Sequence, residues 1–336
     1  MNALILKGHD VHTYRLAQGL QSCNVKTFTV EHYIDIPSDK YDIVFVDPSF
    51  PYDVGSKINA ERIMFFDCED DPFHFDPGEA YESLKDSCEY YAKMNYVDQD
   101  HRKDGIKNIG IPVNIFSNAH QVAGLQVPDF TFRNSVPYLV AAPTYLGRYS
   151  PIEGVEYSEL DGVSALGKHD GPIEDDASPW MYNQRIDWLL SLRKNNVFHV
   201  GGLVFKEHNM TEEWQSKYFG NVGQLGTPAI TWQQHIQNLF NYRVALCPTG
   251  HERISWRTFD IMATGAILFL TDVGDRRMLY MPKEYIKVKD GEDIATKILD
   301  SQKDFYNIWE ASQENRRLFA DLTPEKVIED FMEQMK

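Results

Sequence analysis

Short apolar runs, each closed by a polar turn and followed by a helical stretch, recur along this chain and constrain its fold more than any other feature. Ala3–Leu6 runs into Lys7-Gly8-His9-Asp10, and Tyr41–Val46 into Asp47-Pro48. Ile63–Phe66 is closed by the acidic run Asp67-Cys68-Glu69-Asp70-Asp71-Pro72. Val25–Val30, Tyr90–Tyr96 and Ile109–Val113 read as further strands, and Val11–Leu20 has apolar residues at helical spacing. Alternation of this kind predicts a parallel, doubly wound sheet.

The pattern restarts at Val136. Tyr138–Ala142, Val197–Val200, Arg243–Cys247 and Ile267–Leu270 read as strands. Tyr182–Leu192, Trp232–Phe240 and Ser255–Ala263 read as helices. Gly201-Gly202 reads as a tight turn closing the Val197–Val200 strand, and Pro143–Pro179 as a loop long enough to carry function. The tail is helical over Asp293–Leu299, Phe305–Phe319 and Pro324–Met335, the last opened by Thr323 as N-cap with Pro324 at the first helical position. At about 150 residues per domain, the 336 residues make two domains. The expected architecture is α/β, with two Rossmann-like domains facing a cleft. The boundary is placed in Val127–Val136, giving domains 1–132 and 133–336, with the last helix free to pack back on the first. Ligands in such sheets bind outside the carboxyl ends of the strands, so the cleft is the expected site.

Composition narrows the function classes. With 33 basic and 50 acidic residues the formal charge is −17. That excludes nucleic-acid binding by bulk positive charge, leaving room only for a local basic patch, and argues against docking on anionic membranes. Cys23, Cys68, Cys88 and Cys247 form no C-x-x-C pair, so reduced thiols are expected rather than a zinc site or a disulfide framework. No signal peptide and no transmembrane run is read, and a cytoplasmic protein is expected.

The most informative stretch is Arg243–Asp272, RVALCPTGHERISWRTFDIMATGAILFLTD. A strand runs into Pro248-Thr249-Gly250-His251-Glu252, a helix starts near Ser255, and Gly265 ends it as a C′ glycine would. The first amides of such a helix and its positive dipole end can hold a phosphate. Ser255 can cap the helix or donate to a phosphate oxygen, and Arg253 and Arg257 can each add a charge-assisted bond to a diphosphate. In isolation the two arginines would read as an exposed face pairing with Glu252 and Asp260. The strand tip, Gly250 and Gly265 shift the balance to a ligand site.

This run resembles the nucleotide-sugar half of GT-B fold glycosyltransferases, most of all the exostosin-like and related group-1 transferases. The matching residues are Cys247-Pro248, Gly250, Ser255-x-Arg257, Asp260 and Gly265. Retaining group-1 families carry two glutamates separated by seven residues and a glycine five further on; Glu252, Asp260 and Gly265 have that spacing, with Asp in the second position. The resemblance implies a glycosyltransferase whose second domain binds a nucleotide-diphosphate sugar, with Asp260 on the ribose hydroxyls. It implies donor contacts from Gly250, His251, Glu252, Arg253, Ser255 and Arg257, and Arg257 would also stabilise the departing diphosphate. Gly201 would let the backbone approach the donor. No cofactor and no essential metal are expected, and the acceptor would be a glycan or another hydroxyl.

Inversion at the anomeric centre would need a base from a strand end of the first domain. His9, Asp10, Asp47 and Asp67–Asp71 all qualify, and Asp10 is chosen. The exostosin-like features favour inversion, Glu252 with Asp260 favours retention, and the balance is drawn to inversion. Asp67–Asp71 resembles the metal-binding motif of the other glycosyltransferase fold, yet reads better as a solvated loop. Some phage enzymes of this fold glucosylate DNA bases; the charge weighs against a nucleic-acid acceptor here. An epimerase or hydrolase of the same fold, or a non-catalytic two-domain ligand-binding protein, stays open as an alternative.

Overall fold

A computed structural model describes residues 1–7, 13–67, 79–93, 96–97, 106–111, 119–141, 184–203, 227–248, 254–274 and 276–336. The chain forms two compact units. The first comprises Met1–His120, Gly274–Met281 and Asp321–Lys336; the second comprises Gln121–Val273 and Pro282–Ala320.

The first unit holds β1 (Asn2–Leu6), β2 (Lys26–Val30), β3 (Ile43–Val46), β4 (Ile63–Asp67), β5 (Tyr90–Lys93) and β6 (Lys107–Gly110), with α1 (Thr13–Ser22) and α2 (Glu79–Leu84). All six strands are parallel, in the order β2-β1-β3-β4-β5-β6. The apolar runs are strands because both faces are covered. Leu4, Leu6, Val44, Val46, Phe65 and Tyr91 pack on one face with Ala80, Tyr81 and Leu84 of α2.

The second unit holds β7 (Tyr138–Ala141), β8 (Val200–Leu203), β9 (Val244–Cys247), β10 (Ile267–Thr271) and β11 (Ile286–Val288). They are parallel in the order β8-β7-β9-β10-β11. Its helices are α3 (Gln184–Lys194), α4 (Trp232–Asn241), α5 (Trp256–Thr264), α6 (Ile294–Ser301) and α7 (Phe305–Ala320). One face buries Leu139, Leu246, Ile267 and Phe269 against Trp188 and Leu192 of α3 and Ile294 and Ile298 of α6. On α5, Phe259 meets Phe319 of α7 with ring centroids 6.1 Å apart.

Residues 121–132 go with the second unit: Phe130 packs on Tyr306 and Trp309, and its carbonyl accepts from Arg243 Nε at 2.9 Å. The chain's last helix, α8 (Pro324–Glu333), belongs to the first unit, where Phe331 packs on Phe45 and Phe66. Segment 274–281 joins it there. Arg276–Arg277 pairs antiparallel with Tyr96–Val97, and Tyr280 donates to Asp330 at 3.1 Å.

Three expectations differ from the structure. Gly201-Gly202 is not a turn: both glycines lie inside β8, which starts at Val200 rather than ending there. At Gly201, with φ +97°, a Cβ would sit 1.9 Å from the Leu139 carbonyl oxygen of the neighbouring strand, so close backbone approach demands glycine. Asp67 is not solvated: it ends β4, is 5% exposed, and pairs with Lys93 Nζ at 2.8 Å. The Tyr90–Tyr96 strand stops at Lys93. Pro143–Pro179 lies outside the described residues. Among the described residues, no helix is long and apolar enough to cross a membrane.

Candidate functional site

In the second sheet the strand order reverses between β7 and β9. The carboxyl ends of strands flanking such a reversal form the crevice where open α/β sheets take ligands. β9 ends at Cys247, and the chain re-enters the described structure at Ile254, just before α5. The segment singled out in the sequence therefore lies at this switch point.

The local sequence explains how α5 begins. Ser255 is its N-cap in extended conformation, and its backbone N–H donates to Thr258 Oγ1 at 3.4 Å. Cys247 Sγ sits 3.6 Å from Ser255 Oγ and 3.4 Å from Thr258 Oγ1, tying the strand tip to the helix start. Gly265 closes the helix in the left-handed region, φ +65°, as expected of a glycine at this end.

Three of the predicted site residues come together on the first turns of α5. Ser255 caps it, Arg257 follows within the first turn, and Asp260 lies three residues further on the same face. Asp260 is 7% exposed. Trp232 Nε1, from the first turn of α4, lies 3.3 Å from each of its carboxylate oxygens. Burial pushes the Asp260 carboxyl up to about 6, against the opposing pull of the Trp232 hydrogen bond and the Arg257 charge. Arg257 keeps one buried guanidinium nitrogen, Nη1, without a hydrogen-bond partner. It has no salt-bridge partner among the described residues. A buried cationic N–H in that position is a standing donor for an anion.

Beside them lies a group that the sequence did not single out. Tyr138, opening β7, stacks on Tyr242 at 5.3 Å, accepts from Asn238 Nδ2 at 3.4 Å and meets His235 Nδ1 at 3.0 Å. The Tyr138 hydroxyl thus shares one hydrogen bond with the imidazole and accepts another from the Asn238 amide. Burial pushes His235 down to about 4, and the Arg257 charge pushes the same way. The signal that could have found Trp232 and His235 is their i, i+3 spacing off the Ile236–Leu239 stripe that α4 buries.

Gly250, His251, Glu252 and Arg253 lie outside the described residues, as do His9 and Asp10. Gly201 is accounted for by strand packing against Leu139. In the first unit Asp47 follows β3 and accepts from the Ser49 N–H at 2.9 Å and hydroxyl at 2.6 Å. Among the described residues no cluster of three or more His, Cys, Asp or Glu is placed to hold a metal.

No protein-family model matches the chain, and no curated protein matches it. Solved structures do. Sucrose-phosphate synthase from Thermosynechococcus elongatus superposes with a TM-score of 0.52 at 11% identity, over 99% of this chain and 97% of that one. WaaG, a glycosyltransferase involved in lipopolysaccharide biosynthesis, gives 0.45 at 12% identity, over 98% and 99%. A UDP-forming α,α-trehalose-phosphate synthase from Burkholderia xenovorans gives 0.41 at 11%, over 88% and 74%. The fold is thus α/β with two Rossmann-like domains, the GT-B architecture.

Proposed function

We propose that this chain is a glycosyltransferase that moves a sugar from a nucleoside-diphosphate donor to a hydroxyl acceptor. The observation that carries the reading is the pairing on α5 of Asp260, a buried carboxyl, with Arg257, whose Nη1 has no hydrogen-bond partner. They sit on the first turns of a helix that opens at the switch point of a parallel sheet. A carboxylate there accepts two hydroxyls of a ribose. A guanidinium beside the helix start meets a diphosphate. The shared GT-B fold is compatible with this chemistry and by itself shows the architecture alone.

Sugar transfer places growing negative charge on the leaving diphosphate. Fixed donors aimed at that charge lower the barrier without rearranging. Arg257 and the first amides of α5 supply them, so no essential metal is required, and Arg253 would add a second cation. Glu252, Gly250 and His251 would complete the donor site. If configuration inverts, Asp10 takes the proton of the acceptor hydroxyl as the new glycosidic bond forms. A glycan is the proposed acceptor.

Calorimetry with UDP and GDP in the presence of EDTA tests the assignment. Asp260→Ala should weaken binding by on the order of 1–3 kcal/mol, the cost of losing a charged hydrogen-bond acceptor. Unchanged affinity in a folded variant would sink the ribose role. Turnover lost in chelator and restored by Mn²⁺ would overturn metal independence.

A further inference from the structure

Trp232 meets the Asp260 carboxyl directly, yet the proposed chemistry leaves it unused. The helix it opens is fixed by a reciprocal cap: Gln234 N donates to Thr231 Oγ1 at 3.2 Å and Thr231 N donates to Gln234 Oε1 at 2.8 Å. Ile236 and Leu239 anchor that helix to the core, while Trp232 itself is 37% exposed. Its indole can therefore swing away without unpacking the unit.

Its hydrogen bonding is unusual. One N–H is shared between both oxygens of Asp260, each at 3.3 Å. Both distances exceed the usual 2.9–3.0 Å of an N–H···O bond. The indole nitrogen thus lies between the two oxygens, where the two hydroxyls of a vicinal diol would each donate one bond. Indole and diol compete for the same lone pairs.

We propose that Trp232 is a placeholder for ligand hydroxyls: it occupies Asp260 in the empty site and yields to a ligand carrying a vicinal diol. The inference rests on the reading of Asp260 as a diol acceptor. In the empty site a buried carboxylate without a donor would be costly, and the indole N–H relieves that cost. On binding, a diol exchanges two charge-assisted bonds for one shared bond, a net gain. A single hydroxyl exchanges one for one and gains little. Trp232 so sets a threshold that a ribose passes and a lone hydroxyl does not.

Among the described residues, the charged and titratable groups at this site come from three elements, with His235 and Tyr138 both within reach of the Arg257 charge. Arg257 shares its helix, neutral His235 comes from α4, and Tyr138 from β7. On the other flank of α5, α7 brings Phe319 against Phe259 and Gln313 against Gly265. Binding is therefore best compared at pH 8, above the range in which Asp260 takes up a proton.

Trp232→Phe keeps the ring and removes the N–H. Calorimetry at pH 8 with UDP, GDP and ADP identifies the tightest diphosphate for the wild type. The variant should bind that ligand about 3–10-fold tighter, the size expected for releasing one weak bond to a charged group. The gain should vanish when Asp260→Ala is added. The melting temperature of the empty variant should fall more than that of the saturated one, whereas a purely structural role would lower both alike and weaken binding. Weaker or unchanged affinity in Trp232→Phe, or a gain that survives Asp260→Ala, overturns the placeholder while leaving wild-type nucleotide binding intact. If none of the three diphosphates binds the wild type, the reading of Asp260 falls and this inference with it.

Discussion

The two sheets share one strand order, yet they treat the charges at their carboxyl ends in opposite ways. In the first unit Asp67 accepts from Lys93 Nζ and from the Tyr91 hydroxyl, both at 2.8 Å, and the two charged residues are 5% and 1% exposed. Asp47 is turned onto Ser49. In the second unit Arg257 keeps a buried nitrogen without a partner, and among the described residues Asp260 has only a shared indole N–H. Among the described residues, one sheet neutralises its own buried charge, while the other leaves Arg257 Nη1 without a hydrogen-bond partner and Asp260 with one shared N–H. Burial of charge is costly unless a partner offsets it, and this contrast is the physical ground for the proposed ligand site.

The largest effect should come from breaking the closed pair. Lys93→Met takes from buried Asp67 the ammonium 2.8 Å away and should cost about 3–5 kcal/mol, read by urea unfolding. Adding Asp67→Leu should restore much of that loss, because two apolar residues replace two paired charges. Arg257→Met, by contrast, removes a cation that makes no salt bridge among the described residues and acts on Asp260 only through its charge, and should change stability by about 1 kcal/mol or less. If Lys93→Met is as mild as Arg257→Met, the contrast between the sheets is not physical.

Next in size is turnover. Charge on the departing diphosphate is larger in the transition state than in the bound donor, so Arg257 should act on kcat more than on KM. Arg257→Lys replaces a two-pronged donor by a point charge and should lower kcat about tenfold or more. Arg257→Ala should lower it by about 10²–10³, as for removal of one preorganised donor. Steady-state kinetics with circular dichroism as a folding check decides it. Wild-type kcat in Arg257→Ala would remove the residue from the site.

How much of this was legible in the sequence follows from how local each signal is. Strands buried on both faces announce themselves as unbroken apolar runs: Ala3–Leu6 and Ile267–Leu270 fall inside observed strands, and Tyr41–Val46 contains β3 with two residues to spare. The start and stop of α5 were readable because Ser255 and Gly265 act within their own turn. Three-residue β11 and six-residue α2 have too little periodicity to be read. The return of segment 274–281 depends on pairing with residues about 180 positions earlier. Gly201 misled because two glycines signal a turn locally, whereas the demand on Gly201 comes from Leu139, a neighbour only in the folded sheet. Asp67 misled for the same reason: its partner Lys93 is on the adjacent strand. At the site, Arg257 and Asp260 were visible through i, i+3 spacing, but the indole that meets Asp260 comes from another helix.

The smallest expected effect is a pH dependence confined to the open site. Burial raises the Asp260 carboxyl from 3.8 to about 6, so between these values the folded chain holds a proton that the unfolded chain has released. Stability from this group therefore falls as pH rises from about 4 to 6, by on the order of 1–3 kcal/mol, and stays lowered above that. Asp260→Asn should then be more stable than wild type at pH 7 and indistinguishable from it below pH 4. Ligand binding has the opposite slope. Diol hydroxyls donate to the carboxylate, so wild-type affinity for a nucleoside diphosphate should rise about tenfold from pH 5 to pH 7. The ligand's own phosphate titrates in the same range, but equally for both proteins, and Asp260→Asn should retain only that component. His235, pushed down to about 4, is neutral throughout the window. Calorimetry of both proteins at half-unit steps from pH 5 to 8 isolates the carboxyl as the difference between two curves. Parallel curves would mean that Asp260 does not meet the ligand, and the second sheet would then be as closed as the first.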